Sequence, residues 1–171
     1  MTAEDIKATI SRLSEEVAAR NQDIDNLALI GIQRRGVPLA QRIARELGKG
    51  SVPVPVGSID ITLYRDDLQL VAETPLVRGS NINFDINGKT VVLVDDVIFT
   101  GRTVRAALTE LLDFGRPQRV QLLVLIDRGH RELPIQPDFV GRFVKTKRDD
   151  LVDIYLEEVD GKDEVVLTRK G

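Results

Sequence analysis

The sequence contains no cysteine and only one histidine among its 171 residues. The absence of cysteine excludes disulfide bonds and thiolate chemistry, and it is consistent with a reducing compartment. One histidine cannot form a metal site that needs several imidazole ligands. The amino terminus has no basic segment followed by an apolar stretch, and no apolar run is long enough to cross a bilayer. These absences predict a cytoplasmic protein without a membrane partner.

Length and charge limit the remaining classes of protein. A chain of this length, with 42% hydrophobic and 30% charged residues, is typical of one globular domain, here residues 1–171, with its own hydrophobic core. We find no internal repeat, low-complexity segment or interdomain linker. The formal net charge is -3, so a nucleic acid would have to bind a local basic patch rather than the whole surface.

The spacing of apolar residues predicts an α/β fold. Helical spacing occurs over residues 6–17, 39–47 and 104–112. Continuous apolar runs that are typical of buried strands cover residues 27–32, 91–94 and 120–126. Alternation of apolar and polar residues predicts a strand over 52–63. Residues 64–79 are polar and lack periodicity, which predicts a loop. Asp160-Gly161 predicts a hairpin that pairs 152–156 with 165–167. Strands and helices that alternate in this way form a mainly parallel central sheet flanked by helices.

Three polar segments follow the buried strands of this predicted sheet, at residues 33–36, 95–103 and 127–131. Parallel sheets of this type bind ligands at the carboxyl ends of their strands. The three segments are therefore the candidate binding loops.

The central segment, residues 91–103, reads VVLVDDVIFTGRT. Two carboxylates, Asp95 and Asp96, follow the apolar run, and a turn of threonine and glycine leads into a helix. Backbone N–H groups at a helix start suit a phosphate, and Gly101 lets the backbone approach it closely. Adjacent carboxylates can accept hydrogen bonds from two ribose hydroxyls, directly or through magnesium. The segment therefore predicts a site for a phosphorylated ribose.

Two common phosphate-binding patterns are excluded for this segment. It lacks the glycine and lysine spacing of a Walker A loop, and it has one glycine where a dinucleotide loop needs three. The alternative that needs no ligand is a strand followed by a capped helix with both carboxylates solvated.

The chain resembles a known family in three of its segments. Residues 91–103 are similar to the 5-phosphoribosyl-1-pyrophosphate (PRPP) signature of the type I phosphoribosyltransferases. Together with residues 60–67 (DITLYRDD) and 127–134 (DRGHRELP), they resemble the bifunctional pyrimidine operon attenuator and uracil phosphoribosyltransferase proteins. This resemblance covers nearly the whole chain.

The resemblance implies a fold, a reaction and a set of site residues. The fold is the type I phosphoribosyltransferase fold, with a small hood and a flexible loop that covers PRPP. The reaction converts uracil and PRPP to UMP and pyrophosphate. Mg²⁺ is carried by PRPP and is not held by the protein alone; Asp95 and Asp96 are the candidate protein contacts to it. The implied catalytic residues are Asp95, Asp96 and Arg65. The implied substrate-binding residues are Arg34, Arg35, Asp95, Asp96, Val97, Ile98, Phe99, Thr100, Gly101, Arg102, Thr103, Arg128 and Val152.

The resemblance also implies a regulatory role in transcription attenuation through the leader RNA of a pyrimidine operon. The implied RNA-binding residues are Arg12, Arg20, Arg131 and Arg142, on a homodimer or a higher oligomer. Glu15 and Gln136 depart from the family pattern, in which histidine and a basic residue are usual. Both departures remove positive charge from a phosphate-binding surface.

Several alternatives stay open on the sequence alone. Arg12 could form a salt bridge along its helix with Glu15 or Glu16, and His130 could be structural or functional. A phosphoribosyltransferase without an RNA-binding role, or one that uses a purine base, is the alternative function.

Overall fold

The apolar runs become neighbouring strands of one parallel sheet. The computed structural model describes residues 1–49, 52–62 and 79–171. Within them, five parallel strands lie in the order β2-β1-β3-β4-β5. Their bounds are β1 Leu27–Ile32, β2 Val56–Ile59, β3 Thr90–Ile98, β4 Arg119–Asp127 and β5 Phe139–Phe143. The prediction of a mainly parallel sheet is confirmed.

Helices cover both faces of this sheet, because its apolar side chains alternate between two sides. The helices are α1 Ala3–Arg20, α2 Gly36–Leu47 and α3 Arg102–Leu112, with a short 3₁₀ helix at Ile24–Asn26. Val92 and Val94 of β3 belong to a core cluster with α1 and α2. Val91 and Leu93 belong to a second cluster with α3. A strand buried on both faces therefore reads as a continuous apolar run.

The predicted hairpin forms a second, smaller sheet that we call the hood. Its strands, β6 Leu151–Tyr155 and β7 Glu164–Thr168, pair antiparallel and are joined through the short helix α4 Glu157–Asp160. Ile154 and Leu156 lie in the same core cluster as α1 and α2. Two backbone hydrogen bonds also join Met1 to Val165 of β7, at 2.8 Å and 3.0 Å. The hood is thus packed on the helical layer next to the loop that begins α2.

The structure corrects the sequence prediction in three places. The predicted strand over 52–63 is limited to Val56–Ile59, and β5 was missed because its residues do not alternate or form an apolar run. β3 does not end at residue 94 but continues to Ile98, which pairs with Asp127.

The predicted loop over 64–79 lies outside the described residues except for Gly79. In the part of the chain that the structure describes, no helix is long and apolar enough to span a membrane. The extent of one domain over 1–171 stays a prediction.

Candidate functional site

The three polar segments predicted from the sequence meet at one edge of the sheet. They follow β1, β3 and β4, which are neighbours in the order β2-β1-β3-β4-β5 and run parallel. The segment after β3 contacts the segment after β4 through hydrogen bonds from the Glu132 and Leu133 backbone N–H groups to the Thr100 carbonyl, at 2.9 Å and 3.2 Å. The structure thus brings together the loops that the sequence selected.

Asp95 and Asp96 lie inside the last part of β3 rather than beyond its end. Asp95 is 6% exposed, and Asp96 is half-buried. Each carboxylate accepts a hydrogen bond from the next backbone N–H group, at 2.9 Å for Asp95 and 2.8 Å for Asp96. The sequence predicted that both carboxylates follow the buried strand, whereas both belong to it and Asp95 is buried. Because burying a carboxylate costs free energy unless it is well bonded, this placement argues against a merely solvated pair.

The predicted phosphate loop follows directly. Gly101 has a φ of 93° and is the residue before α3, so it supplies no side chain to cap the helix. The Thr100 hydroxyl accepts a hydrogen bond from the Arg102 N–H at 3.3 Å. Positive φ favours glycine. Because Gly101 provides no side-chain cap, the backbone N–H groups of the first turn beyond that of Arg102 suit an anion. Thr103 is half-buried in the first turn of the helix.

Arg102 does not point its charge into this loop. Its Nε donates to Glu132 at 3.2 Å, and it is 55% exposed. Glu132 also pairs with Arg148. These bonds, first from Arg148 and then from Arg102, hold the pKa of Glu132 below its ordinary value. The Arg102 side chain therefore lies at the rim of the site.

The arginine loop after β1 is pressed against β3. Gly36 is the first residue of α2, and a Cβ atom there would lie 2.3 Å from the Val94 carbonyl oxygen. Arg34 is exposed, whereas Arg35 forms a two-point ion pair with Asp160 of the hood, at 3.0 Å and 2.8 Å. The sequence did not identify Asp160 as a site residue, because 125 residues separate it from Arg35.

Arg131 joins the loops after β3 and β4 through three hydrogen-bonded contacts of its guanidinium. Its Nη2 donates to the buried Asp127 at 2.8 Å, its Nη1 to the Phe99 carbonyl at 2.8 Å, and its Nε to the Ile135 carbonyl at 2.9 Å. Its side chain is 18% exposed. A guanidinium used in this way ties the loop after β4 to the backbone of residues 95–103. The RNA-binding role that the resemblance implied for Arg131 stays a prediction.

Arg128 and Phe99 join the segment 95–103 to the backbone that leads into the hood. The Arg128 guanidinium carbon lies 4.2 Å from the centre of the Phe99 ring, a cation–π arrangement. Its Nη2 donates to the carbonyls of residues 147, 148 and 150, at 3.2 Å, 3.3 Å and 2.8 Å. Arg128 is 9% exposed. It therefore fixes the backbone that leads into Val152 of β6, a half-buried residue.

His130 contacts both Phe99 and the segment that follows β5. It adopts a φ of 65°, and its Nε2 lies 2.9 Å from the Thr146 carbonyl oxygen. Its ring meets Phe99 edge to face, with centroids 5.6 Å apart. Residues 127–131 and 143–146 line a cavity of about 440 Å³. The structure thus gives His130 structural contacts at the side of a cavity.

The other three arginines assigned to RNA lie on α1 and β5. Arg12 pairs with Glu16 at 2.5 Å and also donates to the Gly141 carbonyl. Arg20 lies 3.6 Å from Asp138 and over the Phe139 ring. Arg142 is exposed on β5. The alternative of a helical salt bridge for Arg12 is confirmed with Glu16. Because Arg12 packs against β5, the three form one surface, on which exposed ion pairs hold the side chains only weakly.

The donor set was also compared with the requirements of Mg²⁺. In residues 1–49, 52–62 and 79–171, no group of three or more acidic or histidine side chains could hold a metal ion. Mg²⁺ prefers one or two carboxylates together with phosphate oxygens and water. Asp95 and Asp96 fit an ion that a phosphorylated substrate brings with it.

Three comparisons with known proteins agree with this geometry. Residues 2–150 match the family model described as phosphoribosyl transferase domain. The chain is 58% identical over 162 residues to the Bifunctional protein PyrR of Roseiflexus sp. (strain RS-1), covering 94% of this chain and 88% of that protein. It is 57% identical to the protein of the same name from Acetivibrio thermocellus, covering 91% and 85%.

Solved structures support the fold. The crystal structure of the hypoxanthine phosphoribosyltransferase of Trypanosoma cruzi matches with a TM-score of 0.75 and 20% identity, covering all of this chain and 95% of that one. The Staphylococcus aureus hypoxanthine phosphoribosyltransferase matches with a TM-score of 0.71 and 19% identity, covering 98% and 89%. At such identities the likeness concerns the fold, which confirms the predicted fold class. The chain belongs to the phosphoribosyltransferase domain family and, within it, to the family of the bifunctional PyrR proteins.

Proposed function

We propose that this protein transfers the phosphoribosyl group of PRPP to uracil, giving UMP and pyrophosphate, and that it also regulates a pyrimidine operon by binding UMP and leader RNA. The observation that carries the enzymatic part is the meeting of three loops at neighbouring strand ends. A carboxylate pair lies at the centre, with arginines after β1 and the uncapped start of α3 after β3. These groups match the diol, pyrophosphate and 5-phosphate of PRPP.

Each part of PRPP has a protein partner in this arrangement. Asp95 and Asp96 accept hydrogen bonds from the two ribose hydroxyls, and residues 100–103 hold the 5-phosphate. Arg34 and Arg35 hold the pyrophosphate as its bond to the ribose breaks. Bound Mg²⁺ supplies further neutralisation of the pyrophosphate charge. Arg65, the third arginine assigned to this task, lies outside the described residues, and its role stays a prediction.

Uracil lies against the hood in this proposal. The backbone near Val152 holds the ring, and Arg128 positions that backbone through its bonds to the carbonyls of residues 147, 148 and 150. The base attacks the ribose carbon directly, so no covalent nucleophile is needed. Catalysis then consists of positioning and of stabilising charge that develops in the transition state.

The enzymatic proposal predicts a preference among bases. With PRPP and Mg²⁺, we expect kcat/KM for uracil to exceed that for hypoxanthine, guanine and orotate by at least about 100-fold, the discrimination available from buried polar contacts to a ring. Formation of nucleotide and pyrophosphate from each base measures it. A purine with the larger kcat/KM would contradict the uracil assignment and favour the purine alternative.

The regulatory proposal rests on the basic surface of α1 and β5. Arg12 and Arg20 keep exposed side chains there, at 47% and 53%, although each has an acidic neighbour. Exposed pairs of this kind contribute little free energy, so phosphate groups can replace the carboxylates. Lys145 and Lys147 are exposed in the segment that follows β5. They could compensate for the charge missing at Glu15 and Gln136.

We expect Arg142→Ala to weaken binding of the leader RNA hairpin about 3- to 10-fold at low salt, as loss of one phosphate contact should. UMP synthesis should stay within about 2-fold, because Arg142 is exposed on the edge strand β5, which pairs with β4 and not with β1 or β3. Arg131→Ala is unsuitable here. Its side chain donates to the Phe99 carbonyl, so we expect UMP synthesis to fall as well in that variant.

Filter-binding titrations with and without UMP, at low and near-physiological salt, measure this effect. UMP strengthens binding only if it favours the form that binds RNA. Lys89→Ala removes the same charge beside the amino end of β3 and serves as the control. If an unrelated RNA of the same length bound equally tightly at both salt concentrations, the regulatory role would be excluded and only the enzymatic role would remain.

A further inference from the structure

The ion pair between Arg35 and Asp160 joins the arginine loop to the hood. Nε of Arg35 lies 3.0 Å from one carboxylate oxygen of Asp160, and Nη2 lies 2.8 Å from the other. This two-point geometry fixes the plane of the guanidinium as well as its position. The pair engages one edge of the guanidinium, and Nη1 lies outside it.

Asp160 is itself held in place. The oxygen that accepts from Arg35 Nε also accepts from the Leu156 backbone N–H at 2.8 Å. The Asp160 side chain is 15% exposed, and Gly161 follows with a φ of 73°. Because its own backbone anchors the carboxylate, Asp160 is the fixed partner and Arg35 is the side chain that it orders.

The electrostatic environment of the ion pair favours the charged forms of both Arg35 and Asp160. Hydrogen bonds from Arg35, and then from the Leu156 N–H, hold the pKa of Asp160 below its ordinary value. The bond to Asp160 raises the pKa of Arg35, and the charge of Asp96 adds to that rise. Arg35 bonds to Asp160 of the hood, and the next residue, Gly36, packs on the backbone of Val94 and Asp95, so Arg35 lies where the hood meets the carboxylate end of β3.

We propose that Asp160 is a positioning residue for pyrophosphate: it holds Arg35 in one rotamer, with Nη1 directed for contact with the pyrophosphate of PRPP. This inference rests on the proposed function. An arginine side chain has several rotatable bonds, and ordering it on ligand binding costs free energy. Asp160 removes that cost before PRPP arrives, and it couples the pyrophosphate arginine to the hood that receives the base.

A purely structural role is the competing explanation, and the structure provides a control for it. Arg42, seven residues further along the chain in α2, forms two similar pairs with the hood, to Glu158 at 2.6 Å and to Asp163 at 2.7 Å. Asp163→Asn therefore weakens the docking of the hood on α2 without touching Arg35. A structural role would make the Asp163 and Asp160 variants behave alike.

The test compares steady-state kinetics of Asp160→Asn and Asp163→Asn in the full chain. We expect Asp160→Asn to raise the KM for PRPP about 10-fold, with kcat within about 3-fold and the KM for uracil within about 2-fold, since ground-state ordering of one arginine changes affinity. Asp163→Asn should lower the thermal midpoint but leave the KM for PRPP within about 2-fold. Asp160→Glu should restore part of the loss.

A double-mutant cycle decides whether Asp160 acts through Arg35. In an Arg35→Ala background, Asp160→Asn should cause no further rise in the KM for PRPP. A further rise of 10-fold, or an equal rise in Asp163→Asn, would overturn the proposal.

Direct titration of the protein with Mg-pyrophosphate separates this inference from the proposed function. Binding about 10-fold weaker in Asp160→Asn than in the wild type supports the positioning role even if no base yields a nucleotide. Unchanged pyrophosphate binding in Asp160→Asn overturns it even if uracil is the substrate. If the wild type binds neither PRPP nor pyrophosphate, both proposals fail.

Discussion

Replacement of both Asp95 and Asp96 by asparagine is expected to lower kcat/KM for UMP formation by at least about 1,000-fold. Removal of a single preorganised group that stabilises a transition state typically costs about 10²- to 10³-fold, and this variant removes two charges. Asparagine keeps the shape of each side chain and an oxygen that can still accept the backbone hydrogen bonds at 2.9 Å and 2.8 Å. The fold should therefore survive, and the measurement is turnover in a protein shown to be folded.

Asp85→Asn is the matched control for this double variant. Asp85 is exposed, and its carboxylate accepts hydrogen bonds from the backbone and side chain of Asn87 in the turn before β3. The same chemical change is thus made at the opposite end of the same strand. We expect the control to keep its activity within about 2-fold. Near-normal turnover of the folded double variant would remove the carboxylate pair from the proposed mechanism.

The second large effect is expected from Gly36→Ala. A Cβ atom at this position would lie 2.3 Å from the Val94 carbonyl oxygen and 3.3 Å from the Cα of Asp95. These are backbone atoms of the central strand, so they cannot rotate away, and the start of α2 must move instead. That movement carries Arg34 and Arg35 away from Asp95. We expect the KM for PRPP to rise at least about 100-fold, since displacement of about 1 Å can cost that much.

Stability should fall together with affinity in this variant. Overpacking of a close contact typically costs about 1–3 kcal/mol, which urea unfolding would measure. Gly48→Ala, just beyond the other end of α2, has an ordinary helical φ of -79° and its nearest neighbour, the Ala44 carbonyl oxygen, at 3.2 Å. It should change stability by less than about 1 kcal/mol and leave the KM for PRPP within about 2-fold. A Gly36 variant with wild-type affinity would show that the arginine loop does not depend on contact with β3.

The burial of Asp95 and the bonds of Arg131 change how the site is understood. Mutation of Arg131 cannot separate RNA binding from catalysis, because its guanidinium spans Asp127 and the Phe99 carbonyl. Arg142 is exposed on the edge strand β5, so its substitution is the proposed way to separate the two activities. Buried charged side chains therefore position the groups that are proposed to contact the substrate.

Local pattern was sufficient to predict helices α1 to α3, the buried strands β1, β3 and β4 apart from the carboxyl end of β3, and the three candidate binding loops. Apolar periodicity depends on which face of a segment is buried, and the signature at residues 91–103 lies within one strand-loop-helix unit. Both signals are local and can be read from neighbouring residues. The edge strand Phe139–Phe143 was missed for the same reason. Only Phe139 of its five residues is buried, so the segment shows neither an apolar run nor regular alternation.

Only the tertiary structure decided how the charged side chains are shared among these loops. Asp160 belongs to a hairpin turn in the sequence, where an aspartate before glycine is typical and carries no sign of a distant arginine. Its pairing with Arg35 depends on the hood packing on α2 through Ile154 and Leu156. Likewise, nothing in DRGHRELP indicates that Arg128 and Arg131 are largely buried and hold the loops in place. Ion pairs across 125 residues follow from the packing of whole elements, and no local pattern encodes that packing.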